Sequence, residues 1–162
     1  MGFGRIAHAT LARLIPFGFT QCLYFSNPSS PAKLSRDASL AASLRLAPDS
    51  IRRVNLEVVA EESDVVFVLT PGGKETNNLV DEAFLRKMKK TSVLVNTSRG
   101  SVVDSDALAK ALRERWIWGA GLDVLTGEPK IPADHPLVRE SRYVFFRPNK
   151  KNIPADDRRF AT

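Results

Sequence analysis

The sequence is poor in cysteine and in long apolar runs. Its single cysteine, Cys22, excludes an internal disulfide framework and is typical of a reducing compartment. No uninterrupted apolar stretch approaches the ~20 residues that a helix needs to cross a bilayer. From these two absences we predict a cytoplasmic protein without a membrane partner.

Acidic residues are missing from the first 36 positions, because the first acid is Asp37. A mitochondrial transit peptide has the same basic, acid-poor character, but a glycine motif described below accounts for these residues better. Over the whole chain, 24 basic residues outnumber 18 acidic ones, which gives a net charge of +6. The excess is scattered or lies in the tail after residue 146, so no basic face is predicted and we expect no nucleic-acid partner.

Strand and helix patterns alternate along most of the 162 residues, a length that suits one domain. The stretch over 64–69, which is continuously apolar after Asp64, is typical of a strand buried on both faces of a sheet. Asn55 and Asp104 are placed to cap the helices that follow them. Strands are predicted over 21–25, 64–69, 92–96, 120–124 and 143–146, and helices over 5–15, 55–62, 79–90 and 104–115. Residues 32–53 favour helix but are poorly patterned. This alternation predicts an α/β fold built on a mainly parallel sheet.

Residues Gly2 to Ala7 read Gly-Phe-Gly-Arg-Ile-Ala, which fits the pattern G-x-G-x-x-G/A. In a dinucleotide-binding fold the glycines allow a tight turn close to a pyrophosphate, and the following helix presents N–H groups and a positive dipole end to that anion. A glycine pair before a helix is also often an ordinary turn. The functional interpretation predicts a doubly wound, Rossmann-type parallel sheet with cofactor contacts at Gly2, Gly4, Arg5 and Ile6.

The carboxylate that normally binds the ribose hydroxyls about 20 residues after such a motif is absent. The strand over 21–25 ends at Phe25, Ser26 and Asn27, and we place the ribose contact at Ser26. Loss of the acid removes repulsion toward a 2′-phosphate, which favours NADP over NAD. No arginine stands at this turn in the sequence to bind that phosphate. The cofactor is therefore predicted as NADP or NAD, with a slight preference for NADP.

A longer set of motifs lies between residues 64 and 137. In order, the chain reads Asp-Val-Val at 64–66, Thr-Pro at 70–71, KKTSVLVNTSRGSVVD over 89–104, GAGLDV over 119–124, Gly-Glu-Pro at 127–129 and Asp-His-Pro-Leu at 134–137. This order and spacing resembles the NAD-binding domain of D-isomer-specific 2-hydroxyacid dehydrogenases. Within that family, the start GRIA and the segment EPKIPADHPL are most similar to glyoxylate/hydroxypyruvate reductases. The resemblance runs from Gly2 to about Phe146 and is weak over 26–53.

The resemblance implies hydride transfer between NAD(P)H and a small 2-oxo or D-2-hydroxy acid, and it implies no metal site. Arg99 would be catalytic, because its planar guanidinium suits a substrate carboxylate and keto oxygen; the alternative is a surface salt-bridge arginine. Glu128 would be the second catalytic residue, a carboxylate that orients and charges a proton-donating histidine. Asp123 would contact the nicotinamide amide, with a helix or turn cap as its alternative. Four further positions would contact the cofactor: Thr70, Pro71, Thr97 and Ser98.

The histidine that Glu128 requires is not found where the resemblance places it. The chain has two histidines, His8 on the first predicted helix and His135 in a turn, and neither matches the catalytic position. An ungapped match puts Pro148 there and a one-residue shift puts Asn149 there, and neither side chain donates a proton near neutral pH. We therefore predict that this chain alone is inactive.

The resemblance also implies that the chain is truncated at both ends. Residues 1–146 would form a partial dinucleotide-binding domain without its first, central strand, residues 147–162 would be a polar, basic, disordered tail, and the substrate-binding domain would be absent. We expect marginal stability or aggregation, because two strand edges would face a gap. The homodimer of the family is not expected to be retained. The alternative function is a non-enzymatic dinucleotide-binding or corepressor-like module of the same family.

Overall fold

The computed structural model describes residues 1–27, 29–140 and 144–146. The strands in these ranges are β1 (Cys22–Tyr24), β2 (Ile51–Arg53), β3 (Val65–Val68), β4 (Val93–Asn96), β5 (Gly119–Leu122) and β6 (Val144–Phe146). The α-helices are α1 (Arg5–Leu14), α2 (Leu34–Ser43), α3 (Leu56–Glu62), α4 (Glu82–Lys87), α5 (Ser105–Arg113) and α6 (Pro136–Arg139). Within the described ranges, no helix combines the length and the apolar character that a membrane span requires.

All strand pairs among the described residues are parallel, which confirms the predicted α/β architecture. β1 pairs with β2 in one sheet, and the second sheet has the order β3-β4-β5-β6. Met1 joins the two sheets. Its amino group donates to the Phe67 carbonyl at 2.6 Å, and its carbonyl accepts from the Leu69 N–H at 2.9 Å. On the other side, the Gly2 N–H donates to the Phe25 carbonyl at 2.8 Å. Met1 and Gly2 thus link β3 to the turn after β1 through backbone hydrogen bonds.

Side-chain caps determine where three helices begin. The Asn55 side-chain oxygen accepts a hydrogen bond at 2.9 Å from the N–H three residues later, which confirms the predicted cap of α3. Asp104 accepts from two N–H groups at the start of α5, both at 3.0 Å, as predicted. Asp81 caps α4 in the same way at 2.8 Å. Each cap satisfies N–H groups that have no partner inside the helix.

The core consists of two clusters, one on each sheet. In the larger cluster, Leu94 of β4 is fully buried together with Leu108 and Leu112 of α5. The smaller cluster joins α1 and α2 to β1 and β2, and it includes Leu11 and Tyr24. Helix α3 packs against α4, α4 against α5, and α5 against α6. The apolar faces of the helices are therefore buried in two separate helix-on-sheet interfaces.

Three parts of the chain differ from the prediction. Residues 32–53 contain not only a helix but also the strand β2. Two of the three residues of β2 are arginines, and the segment is a strand because it pairs with β1. The helix predicted over 79–90 is limited to α4, since Val80 is held in a parallel bridge and the chain enters the helix only after Asp81. The connection after β5 contains α6, whose first residue is a proline, a position where proline is favoured.

Candidate cofactor site

The predicted site residues lie at one edge of the sheets. Parallel strands place their carboxyl ends at a common edge, and open α/β sheets bind ligands there. The loops after β1, β3, β4 and β5 leave this edge, which we call the carboxyl rim. These loops hold all predicted site residues outside the glycine motif: Ser26, Thr70, Pro71, Thr97, Ser98, Arg99, Asp123 and Glu128.

The glycine motif reaches the same rim between β1 and β3. Gly2 has a φ of +79°, and a Cβ added to it would lie 3.0 Å from the backbone N and Cα of Thr70. The left-handed conformation and the close approach both require glycine at this position. Gly4 differs, because its φ is −96° and an added Cβ would meet no atom within 4 Å. The packing of the protein itself therefore does not explain a glycine at position 4.

Helix α1 begins directly after Gly4 with uncapped N–H groups. Gly4 is the N-cap residue, it makes no side-chain capping bond, and the first turn of the helix contains no acid. Arg5 and Ile6 are exposed, and Ile6 is 70% accessible although it is apolar. A helix end of this kind attracts an anion through its free N–H groups and its dipole. The glycine turn and α1 together have the features of a pyrophosphate site.

An arginine from the neighbouring strand holds the turn after β1. Arg53, the last residue of β2, lies opposite Tyr24 in the parallel ladder. Its guanidinium donates to the Ser30 carbonyl at 2.6 Å and to the Asn27 carbonyl at 2.8 Å. The expectation that no arginine stands at this turn is therefore wrong. Arg53 is 26 positions from Asn27 in the sequence, and only a strand assignment for residues 51–53 would have revealed it.

A charged cluster next to this turn connects α2 with β1. The Tyr24 hydroxyl donates to Asp37 Oδ2 at 2.5 Å, and Arg36 forms an ion pair with Asp37 Oδ1 at 2.6 Å. The Phe3 ring stacks on Tyr24 with the centroids 4.2 Å apart. Burial, together with the hydrogen bond to Asp37, raises the pKa of Tyr24 to about 12. Asp37 neutralises Arg36, whereas no carboxylate of the described residues lies in salt-bridge contact with Arg53.

The protein should lose stability as the pH rises above about 10, the pKa of an unfolded tyrosine. Folded Tyr24 keeps its proton up to about pH 12, so ionisation favours the unfolded chain in this window. Urea denaturation from about pH 9 to 11 measures the effect. The Tyr24→Phe variant is the control: it should be about 1 kcal/mol less stable at pH 8, and its stability should fall less steeply with pH. Parallel pH profiles for the two proteins would contradict the prediction.

Asn96 holds the loop that carries Arg99. The Asn96 side chain is buried, donates to the Arg99 carbonyl at 3.0 Å and accepts from the Ser98 N–H at 3.0 Å. The Arg99 side chain is exposed, and its guanidinium donates to the Ser98 carbonyl at 2.7 Å. No carboxylate of the described residues lies in salt-bridge contact with it. Among the described residues, the geometry therefore does not support the alternative that Arg99 forms a structural salt bridge.

The loop after β5 packs directly on Gly100. A Cβ on Gly100 would lie only 2.1 Å from the carbonyl carbon of Leu125. In the same loop, the Glu128 carboxylate accepts a hydrogen bond from the Leu125 N–H at 3.3 Å, and the Asp123 N–H donates to a carbonyl of β4 at 2.9 Å. Asp123 and Glu128 are both exposed. The structure therefore brings Arg99, Asp123 and Glu128 to neighbouring loops of the rim, while their catalytic and cofactor roles stay predictions.

The two histidines occupy structural positions. His135 is buried, and its Nδ1 accepts a hydrogen bond at 3.2 Å from an N–H in α6. His8 lies on α1 with its ring edge-on to Phe3, the centroids 4.6 Å apart. Burial lowers the pKa of each imidazole, so both are poor candidates for a proton donor held in its charged form. Pro148, Asn149 and the predicted tail over 147–162 lie outside the described residues.

Comparison with known proteins identifies the domain. The family described as D-isomer specific 2-hydroxyacid dehydrogenase, NAD binding domain, matches residues 1–148. A glyoxylate reductase of Thermofilum pendens is 41% identical over 139 residues, which cover 86% of this chain and 37% of that protein. Two solved structures show the same fold.

The first is the apo form of Rhodotorula graminis D-mandelate dehydrogenase, with a TM-score of 0.71 and 36% identity over 90% of this chain and 38% of that one. The second is the NAD-complexed D-isomer specific 2-hydroxyacid dehydrogenase of Lactobacillus delbrueckii ssp. bulgaricus, with a TM-score of 0.71 and 28% identity over 91% of this chain and 43% of that one. The chain spans less than half the length of each relative. It belongs to the D-isomer-specific 2-hydroxyacid dehydrogenase family and carries the NAD-binding domain of that family.

Proposed function

We propose that this chain binds a nicotinamide dinucleotide along the carboxyl rim as the cofactor-binding part of a glyoxylate/hydroxypyruvate reductase. One observation carries the proposal: the uncapped N-terminus of α1, behind Gly2 and Gly4, lies at the rim that also holds Arg99, Asp123 and Glu128. The pyrophosphate would lie against α1, the adenosine toward the turn after β1 and the nicotinamide toward the loops after β4 and β5. The glyoxylate reductase and the NAD-complexed relative named above support the reaction and the cofactor.

Three residues of the rim have a chemical task in this proposal. The bound nicotinamide would supply hydride to the 2-oxo carbon of the substrate. Arg99 would hold the substrate carboxylate, because its guanidinium offers two parallel N–H donors. Asp123 would accept a hydrogen bond from the nicotinamide amide, and Glu128 would stabilise a charged imidazole. Since neither His8 nor His135 is placed to supply that imidazole, we expect this chain alone to bind the dinucleotide without turnover.

Fluorescence titration of the purified chain with NADH and NADPH, followed by a turnover assay with glyoxylate, tests both parts of this proposal. We expect saturable binding of one dinucleotide per chain and no glyoxylate-dependent oxidation of it. A folded chain that binds neither dinucleotide would refute the proposed function. Normal turnover would refute the expected inactivity, since it would require a proton donor other than the two histidines.

We further propose that the cofactor is NADP rather than NAD. The turn after β1 offers Ser26 and Asn27 in place of a carboxylate, so nothing in this turn repels a 2′-phosphate. The guanidinium of Arg53 lies at this turn, 2.8 Å from the Asn27 carbonyl. An arginine beside the ribose is the usual means of accepting the 2′-phosphate. Both features favour NADPH.

Two substitutions should therefore change the cofactor preference in the same direction. Arg53→Ala should weaken NADPH binding by at least about tenfold, since a charge-assisted hydrogen bond is worth about 1.5–3 kcal/mol, and it should change NADH binding far less. Asn27→Asp should also weaken NADPH and should improve NADH, because a carboxylate binds the ribose hydroxyls. Arg113→Ala is the charge-matched control, at the far end of α5. Equal losses for NADH and NADPH in Arg53→Ala would show that Arg53 only orders the turn.

A further inference from the structure

The segment between β1 and α2 contains a serine that is followed by proline. The chain reads Ser-Pro-Ala-Lys over residues 30–33. Serine before proline, with a basic residue three positions after the serine, is the charge and backbone pattern that proline-directed protein kinases select. Proline favours an extended backbone at the residue before it and has no N–H for a kinase to satisfy. The other such pair in the sequence, Thr-Pro at 70–71, is followed by two glycines and has no basic residue at the corresponding position.

The Ser-Pro pair is accessible on the surface. All residues from 29 to 35 are exposed, and those from 29 to 33 belong to no helix or strand. The Ser30 N–H donates to the Asn27 carbonyl at 3.0 Å, so the serine stands in a turn. A kinase has to bind several consecutive residues of its substrate, and this segment offers them without unfolding a regular element.

Arg53 lies beside this serine. Its guanidinium donates to the Ser30 carbonyl at 2.6 Å. A phosphoryl group on the Ser30 hydroxyl would therefore lie within reach of the same guanidinium by rotation of the serine side chain. It would bring about −1.5 to −2 charges and three strong acceptor oxygens. Among the described residues, no carboxylate forms a salt bridge with Arg53 and competes with such a group.

We propose that Ser30 is a phosphorylation site and that phosphoserine at this position withdraws Arg53 from the 2′-phosphate of NADPH. In the transfer, the Ser30 oxygen bonds to the γ-phosphorus of ATP, the bond from that phosphorus to the β–γ bridging oxygen breaks, and ADP leaves. The hydroxyl proton passes to the catalytic base of the kinase. The regulation rests on the proposed binding of NADPH at this turn. Two anions would then compete for one guanidinium and repel each other, whereas NADH has no 2′-phosphate to lose.

Phosphorylation of the intact 162-residue chain tests the modification site. The purified chain is incubated with ATP and a cyclin-dependent kinase, and the modified residue is located by mass spectrometry. We expect a single phosphate per chain, on Ser30. Ser30→Ala should take up none, whereas Ser29→Ala, which removes a neighbouring exposed hydroxyl, should be modified like the unchanged chain. A chain that takes up no phosphate on Ser30 would overturn the proposal.

Fluorescence titration of the phosphorylated chain tests the effect on the cofactor. The Kd for NADPH should rise by about tenfold or more and the Kd for NADH by less than about twofold. In Arg53→Ala, phosphorylation should raise the Kd for NADPH by clearly less than in the unchanged chain, because the guanidinium is already gone. Equal losses for NADPH and NADH, or the same loss with and without Arg53, would refute competition for this guanidinium.

A measurement without dinucleotide separates this proposal from the proposed function. In phosphorus NMR, the Arg53 guanidinium should hold the second pKa of phosphorylated Ser30 below its value in Arg53→Ala, because a nearby cation favours the doubly charged phosphate. Equal pKa values in the two proteins would refute the pairing of phosphoserine with Arg53 and leave the proposed function untouched. A lowered pKa in a chain that binds neither dinucleotide would instead refute the proposed function, and the regulation with it.

Discussion

Replacing Gly4 with alanine is expected to weaken dinucleotide binding by about two orders of magnitude while leaving the stability of the protein nearly unchanged. Alanine adopts the φ of −96° at this position without strain, and its methyl group would meet no protein atom within 4 Å. The methyl group would instead stand at the N-terminus of α1, where a pyrophosphate must approach the backbone N–H groups. We expect the Kd for NADPH to rise by about 100-fold or more, which corresponds to about 2.8 kcal/mol. The Tm should change by no more than about 2 °C.

Gly2→Ala is the matched control for this substitution. It adds the same methyl group two residues earlier, but there it meets a φ of +79° and the Thr70 backbone at 3.0 Å. That variant should lose stability as well as binding, because its backbone conformation is strained and its packing overfilled. Calorimetry and fluorescence titration of both variants separate the two effects. If Gly4→Ala binds NADPH as tightly as the unmodified chain, α1 does not hold the pyrophosphate and the proposed function loses its main support.

The parts of the fold that follow from local physical rules could be predicted from the sequence. Asn55 and Asp104 are capping residues in front of amphipathic stretches, and both accept the expected hydrogen bonds. The strand predicted over 64–69 contains β3, because the apolar residues after Asp64 are consecutive and few other structures bury such a run. The glycine motif similarly predicts a turn before a helix. Each of these signals lies within a few residues of the feature that it predicts.

The parts that depend on distant contacts could not be predicted in this way. β2 contains two arginines in three residues and becomes a strand only because β1 is beside it. Arg53 reaches the turn after β1 for the same reason, so its place in the site was missed together with its strand. The contact of Gly100 with Leu125 joins segments 25 positions apart in the sequence, and no local pattern reports it. In this protein, the sequence predicts which residues are at the rim better than it predicts how they touch.

Replacing Gly100 with alanine is expected to have the largest effect on stability. The added Cβ would lie 2.1 Å from the Leu125 carbonyl carbon and 2.3 Å from the Thr126 nitrogen. Both are backbone atoms, so the loop after β5 has to move as a unit. Overpacking of this kind costs about 1–3 kcal/mol and sometimes more, and we expect about 3 kcal/mol. The Tm should then fall by about 6–12 °C, and dinucleotide binding should weaken because the displaced loop carries Asp123 and Glu128.

Two neighbouring glycines provide a graded comparison for Gly100→Ala. A Cβ on Gly73 meets no atom within 4 Å, whereas a Cβ on Gly72 would lie 2.8 Å from Cγ of the Arg99 side chain. Gly73→Ala should therefore leave stability and binding unchanged. Gly72→Ala should cost little stability, because the flexible Arg99 side chain can turn away, but it would move the guanidinium that we assign to the substrate carboxylate. Urea denaturation of the three variants should give losses in the order Gly73, Gly72, Gly100. A Gly100→Ala protein as stable as Gly73→Ala would mean that the loop after β5 does not pack on Gly100. The placement of the loop that carries Arg99 next to the loop that carries Glu128 would then lose its support.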